Sequence, residues 1–231
     1  MKEPIKNSQS RILKSLEKGF MYHHLAVARS EKFLRKHDSE RLPMFVLYVD
    51  LVGSTKMSSE LDPEIFTTLI RIFSQEMSYV IEQYGGYVLK FVGDAVLGYF
   101  FSHNYNSSNQ VIECAKQMQK IMRGAINPIL VKKSFPELKI KISIDFGDCS
   151  VVRYGSDKKR SHIDLIGLTL NLAAKMQQIT KPNQITIGEF VYEKLNSQNN
   201  QLFQKAKTDP KSWKYHELKK SKPYFVYVRK N

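Results

Sequence analysis

Two aspartates sit where a folded chain could bring them together. Asp50 ends the apolar run MFVLYVDL (44–51), and Asp94 lies between the runs YVLKFV (87–92) and AVLGYFF (95–101). Each has a glycine close by, Gly53 in DLVGST and Gly93 in VGDA. Short apolar runs bounded by turn residues read as strands, so both carboxylates fall at strand ends. Singly, each is an ordinary turn or cap residue. On neighbouring strands they would repel, and each would raise the other's pKa. Divalent cations resolve that conflict. An oxygen-only donor set suits Mg²⁺ or Mn²⁺, which keep waters and complete their shells from substrate phosphates. Two such ions can activate an attacking hydroxyl and neutralise a leaving pyrophosphate.

The elements that must position these residues follow a regular order. Residues 8–37 read as a basic helical arm, with Ile12, Leu13, Leu16, Phe20, Leu25, Phe33 and Leu34 loosely spaced for one apolar face. Pro43 breaks it, because proline disfavours helix at the residue before. The run 44–51 is continuously apolar, which predicts a strand buried on both faces. Asp62-Pro63 supplies a cap and a first-turn proline for a helix. Its apolar side runs from Phe66 through Phe73 and Met77 to Tyr84, and Gly85-Gly86 stops it. A hairpin follows, then a second helix from near Ser107 that Pro128 ends or kinks.

LKIKISIDFG (138–147) alternates apolar and polar residues, which predicts a strand, with CSVVRYG (149–155) as its partner across a Gly147-Asp148 turn. SDKKRSHID reads as a polar loop, LTLNLAAKMQQI as a helix, QITIG as a short strand and EFVYEKL as a short helix. NSQNNQ reads as a loop and KPYFVYVRK as a last strand. The order β-α-β-β-α-β predicts an α+β fold of the split-βαβ, ferredoxin-like kind. Its antiparallel-rich sheet would carry helices on one face and leave the other free. The domain division expected is an arm at 1–43 and a catalytic body at 44–231.

The 231 residues are 42% hydrophobic and 25% charged, an ordinary composition for a soluble globular chain. The most apolar stretch is too short to span a bilayer and carries Asp50. The polar start MKEPIKNSQS has no apolar core of a signal peptide. Cys114 and Cys149 lack metal-binding spacing, so a reduced, cytoplasmic setting is expected. The net charge of +14 is concentrated at the ends: ten Lys/Arg against five Asp/Glu in 1–43, and nine against two in 201–231. Solvated lysine-rich faces explain this, and contact of the ends with nucleic acid or an acidic surface is the sharper alternative.

Three stretches in register, DLVGST (50–55), GGYVLKFVGDAVLGYF (85–100) and HIDLIGLTLNLAAKM (162–176), strongly resemble the class III nucleotidyl cyclase catalytic domain, the adenylate/guanylate cyclase family. The resemblance covers roughly 44–228. It implies that Asp50, Asp94 and the carbonyl of Leu51 bind two metal ions, and that the Gly53-Ser54-Thr55 turn meets substrate. It implies that Lys90 and Asp164 read the purine. An ammonium donating to adenine N1 and a carboxylate accepting from the N6 amine favour ATP over GTP. Asn171, seven residues after Asp164, would orient the ribose.

One position departs from the family pattern. Four residues after the asparagine the family usually has an arginine; here it is Lys175, which keeps the charge but loses the planar fork of donors. Arg153, Lys158, Lys159 and Arg160 are the nearby candidates to compensate. The resemblance further implies a homodimer with two composite sites, because one chain carries both the metal and the base-reading residues. The expected activity is an adenylate cyclase making 3′,5′-cyclic AMP and pyrophosphate. The alternatives are a cyclase domain that binds nucleotide without efficient turnover, and a palm-like nucleic-acid-binding protein.

Overall fold

The computed structural model describes residues 3–20, 25–102, 107–155, 157, 161–209, 213–215 and 222–230. Lys158, Lys159 and Arg160 lie outside them. The chain begins with α1 (Glu3–Lys18) and α2 (Leu25–Lys36), followed by β1 (Arg41–Leu51), α3 (Ser54–Glu60) and α4 (Pro63–Gln83). The hairpin β2 (Tyr87–Val92) and β3 (Ala95–Phe101) leads to α5 (Ser107–Ile121). A π-helical turn at Met122–Ile126 then passes the chain into α6 (Asn127–Lys132). After it come β4 (Ile140–Tyr154), β5 (His162–Ile166), α7 (Leu168–Met176), β6 (Ile185–Gly188), α8 (Glu189–Tyr192), α9 (Ser197–Asn200), β7 (Phe203–Lys205) and β8 (Val226–Arg229).

The sheet order is β2-β3-β1-β4-β6-β8-β7, with β5 pairing β4 off that path. The first four strands give the split-βαβ order expected from the sequence, all antiparallel. The β4–β6 pair is parallel. Local chemistry explains the elements. The Asp62 carboxylate accepts from the Glu64 N–H at 2.8 Å and caps α4. Gly93, at φ 60°, takes the first position of the two-residue β2–β3 loop, as a type II′ turn requires.

Alternate residues of β1 divide the interior. Phe45, Leu47, Val49 and Leu51 face a core shared with α4, α5 and α6. Met44 and Val46 face a second core with Leu170, Leu172, Ala173 and Met176 of α7 and with Leu34 of α2. The second face is therefore partly covered by α7 and α2 rather than left free.

Several elements differ from the sequence expectations. The turn at Gly147-Asp148 does not form. β4 runs straight through it because β1 pairs with β4 along its whole length, from Arg41↔Ser150 to Leu51↔Ile140. Gly147 is a packing residue instead: a Cβ there would stand 2.4 Å from Thr169 Oγ1, so its absence lets α7 approach β4. The single arm is two helices, ended at Lys18 by Gly19 at φ 83°. α1 packs on the helical layer, where Ile12 is buried. Its Ser8 hydroxyl donates to the buried Glu76 carboxylate (2.6 Å), and Arg11 reaches both Glu76 oxygens (3.0 and 2.6 Å). Pro128 does not end the second helix: it lies in the first turn of α6, after the π-helical turn. NSQNNQ contains the short helix α9, and β5 and β7 were not expected.

Candidate active site

The β1–β3 register brings the two aspartates together. It runs from Met44↔Phe101 to Asp50↔Ala95, so Asp94, the residue before Ala95, lands beside Asp50. Burial first, then the charge and hydrogen bond of Asp94, push the Asp50 carboxyl up to about 6. Lys141, its cross-strand neighbour in the β1–β4 pair, pulls the other way, as does the Leu51 N–H donating to Asp50. Two half-buried carboxylates held in mutual conflict form a donor set that fits hard divalent cations. Among the described residues no cluster of three or more His, Cys, Asp or Glu exists. Water, backbone carbonyl and substrate oxygens would therefore complete the shell.

The pH dependence of this pair follows from the raised Asp50 carboxyl. Its ionised form is disfavoured in the folded chain, so metal-free stability falls as pH rises through about 6. A bound cation reverses that penalty, while protons compete with it below the same pH. Mn²⁺ should therefore raise the melting temperature by several degrees at pH 7.5 and by much less at pH 5, measured by calorimetry. An equal shift at both pH values would count against the pair as the metal site.

Beyond Asp50 the chain turns sharply through Gly53, at φ 76°, into α3. The first helical bond runs from the Met57 N–H to the Gly53 carbonyl (3.0 Å), so the N–H groups of Ser54 and Thr55 have no partner within the helix.

Lys90 and Asp164 form a second group. The Lys90 ammonium donates to Asp164 Oδ2, and Asp164 Oδ1 accepts from the Leu165 N–H (2.9 Å). A β-bulge aims the lysine. Between Val88↔Gly98 and Lys90↔Leu97 the register slips by one, leaving Leu89 as the extra residue. Val88 is buried in the helix-side core, and the bulge frees Lys90 from that side. Tyr48, two residues before Asp50, lies near the pair: burial first, then the Asp164 charge, raises its phenol.

Helix α2 bridges the strands that carry these two residues. Over β2 and β3, Phe33 meets Tyr87 and Phe101 (ring centroids 4.8 and 5.7 Å), and Ser30 donates to the Tyr99 hydroxyl (3.1 Å). At β5, Arg35 donates to the Ser161 carbonyl (2.7 Å).

Asn171 and Lys175 are exposed one turn apart on α7. The far end of that helix is tied to β1 and β4. Gln177 Nε2 donates to the Tyr48 carbonyl (3.2 Å) and to Ser143 Oγ (2.9 Å), and Lys141 donates to the Gln177 carbonyl (3.3 Å). Arg153 pairs with Asp38 at 2.8 Å.

Sequence reasoning missed three residues here. The alternation of LKIKISID could have placed Lys141 opposite Asp50. Tyr48 could have been found as the residue on the same strand face as Asp50. Nothing local in the sequence marks Gln177.

The model of the adenylate and guanylate cyclase catalytic domain matches residues 39–227. The chain belongs to that family. Cyclase domains of this kind bind nucleotide, use divalent metals and work as dimers. The uridylate cyclase of Rhodovulum sp. (strain MB263) is 30% identical over 65% of this chain and 64% of its own length. The cytidylate cyclase of Staphylococcus aureus is 29% identical over 65% of this chain and 37% of its own. This cyclase domain thus spans less than two thirds of either relative. The crystal structure of the adenylyl cyclase CyaB from P. aeruginosa superposes with a TM-score of 0.68 at 24% identity, over 83% of this chain and 95% of that one, a likeness of fold. Among the described residues no helix is long and apolar enough to cross a membrane.

Proposed function

We propose that this cyclase domain converts ATP to 3′,5′-cyclic AMP and pyrophosphate at two composite sites of a homodimer. The observation that carries the base assignment is the Lys90–Asp164 pair. An ammonium beside a carboxylate matches an acceptor nitrogen beside an exocyclic amine, which is adenine's N1–N6 edge. Guanine and uracil present a carbonyl where that amine would be. Asp50, Asp94 and the Leu51 carbonyl hold Mg²⁺ or Mn²⁺, two ions per site. Bound there, the ions supply the positive charge that favours deprotonation of the 3′-hydroxyl and departure of pyrophosphate. The Gly53-Ser54-Thr55 turn offers N–H groups to the phosphates. Asn171 orients the ribose, and Lys175, one helical turn on, meets the charge that develops during transfer. Exchange of that lysine for arginine restores a bidentate contact. Lys175→Arg should raise initial rates about three- to tenfold with KM little changed, the scale of one improved charge-assisted hydrogen bond. An unchanged rate would show that the ammonium already suffices.

A second reading is CTP. Cytosine N3 and its N4 amine repeat adenine's order of acceptor and amine, and relatives named cytidylate cyclase are among those similar to this chain. The same experiment tests both: the full chain with Mn²⁺ and each of the four nucleoside triphosphates, products resolved by mass. Cyclic AMP supports the first reading and cyclic CMP the second, while cyclic GMP or cyclic UMP as the main product would sink both. ATP binding without product under either metal would leave a nucleotide-binding domain that does not turn over. Two buried, unpaired cysteines, Cys114 and Cys149, fit a reducing compartment such as the cytoplasm.

A further inference from the structure

We infer that the far edge of the sheet holds a second ligand site, one for a compact, multiply charged phosphate anion. A cleft of about 490 Å³ lies where β7 and β8 meet the segment after α7. Lys181, Lys205, Lys207, Arg229 and Lys230 line it, and among the described residues no Asp or Glu does. The lining is built rather than incidental. Arg229 Nη1 donates to Gln119 Oε1 (2.8 Å), which holds the guanidinium in place, and its buried Nε has no acceptor among the described residues. Lys205 lies over the Phe225 ring, 3.0 Å from its centroid. None of the four lysines has a carboxylate partner among the described residues.

Five cationic residues lining one cleft with no described carboxylate among them repel one another, and a buried guanidinium N–H without a described acceptor adds a desolvation penalty. A ligand that places several negative charges in a small volume relieves both. The cleft's size is that of a small-molecule site. Pyrophosphate, tripolyphosphate or a phosphorylated headgroup has the required charge, and a single carboxylate does not. The site is separate from the candidate active site. β4 and β6 stand between β1 and the β8–β7 edge, and none of Asp50, Lys90, Asp94, Asp164, Asn171 or Lys175 lines the cleft. The inference does not depend on which nucleotide the domain cyclises.

Titration calorimetry of the full chain in EDTA with inorganic tripolyphosphate tests it. The expected result is one site per protomer whose affinity falls with added salt. Lys205→Ala/Lys207→Ala should weaken binding about tenfold or more, Arg229→Gln should weaken it as well, and Lys175→Ala should leave it unchanged. Co-sedimentation with phosphatidic acid vesicles separates the sources. Vesicle binding that disappears in the double variant identifies a headgroup; tripolyphosphate binding without vesicle binding identifies a free anion. Equal affinity in wild type and double variant would overturn the site. So would loss of binding in Lys175→Ala alone, or tighter binding of a single-stranded oligonucleotide than of tripolyphosphate.

Discussion

Asp94→Asn should abolish most turnover and at the same time stabilise the metal-free chain. The two effects have opposite signs because one charge serves chemistry at the expense of folding. The amide keeps the shape of the turn residue and can still hydrogen-bond Asp50, so the hairpin is preserved. With the Asp94 charge gone, one of the causes that raise the Asp50 carboxyl is removed, leaving burial as the main one. The metal-free chain should therefore melt higher at pH 7.5, and the gain should shrink as pH falls below about 6, where Asp50 of the wild-type chain takes up its proton. Catalysis runs the other way. Metal-ion stabilisation of a transition state is worth several kcal/mol, and each 1.36 kcal/mol is tenfold, so turnover should fall by about 10²–10³. The Mn²⁺-dependent melting shift should vanish with it. A variant turning over within about threefold of wild type would remove Asp94 from the metal site.

Arg11→Ala should lower stability by about 3 kcal/mol, the low end for stripping a partner from a buried charge. Glu76 is 1% exposed and, among the described residues, would keep the Ser8 hydroxyl as its side-chain partner. For a chain of this size that predicts a fall in melting temperature of roughly 6–12 °C. Arg11→Ala combined with Glu76→Gln should recover a good part, because the amide does not need the guanidinium. The site lies at the far face of the sheet, so the activity of the folded fraction should not change. A single variant melting within a degree of wild type would mean that α1 contributes nothing to the fold.

How much was legible depended on how local the cause was. The hairpin ends at Val92 and Ala95 were readable because a glycine and an aspartate punctuate two apolar runs. The α4 boundaries were readable because Asp62-Pro63 and Gly85-Gly86 are local signals. β4 was misread for a tertiary reason: Gly147-Asp148 has turn chemistry, but pairing with all of β1 overrides it, and the glycine serves the contact with Thr169. The split between α1 and α2 was signalled by Gly19 alone, a weak mark within an otherwise polar helix. At the site, the spacing of Asp50, Lys90, Asp94, Asp164, Asn171 and Lys175 pointed to family positions. What the sequence did not carry was cross-strand company: Lys141 opposite Asp50, Gln177 reaching back to Tyr48, and Arg153 held by Asp38.

The extra residue at Leu89 gives β2 two phases. Followed from Tyr87, the strand keeps the alternation of the hydrophobic layer; followed back from the turn, it keeps the alternation that brings Lys90 to Asp164. The change of phase falls between Val88 and Lys90, so six residues answer to two masters without either compromising the other. Substitutions on the Tyr87–Val88 side can drift with the packing of the helices. Under the proposed function, those on the Lys90–Asp94 side can drift only with the nucleotide.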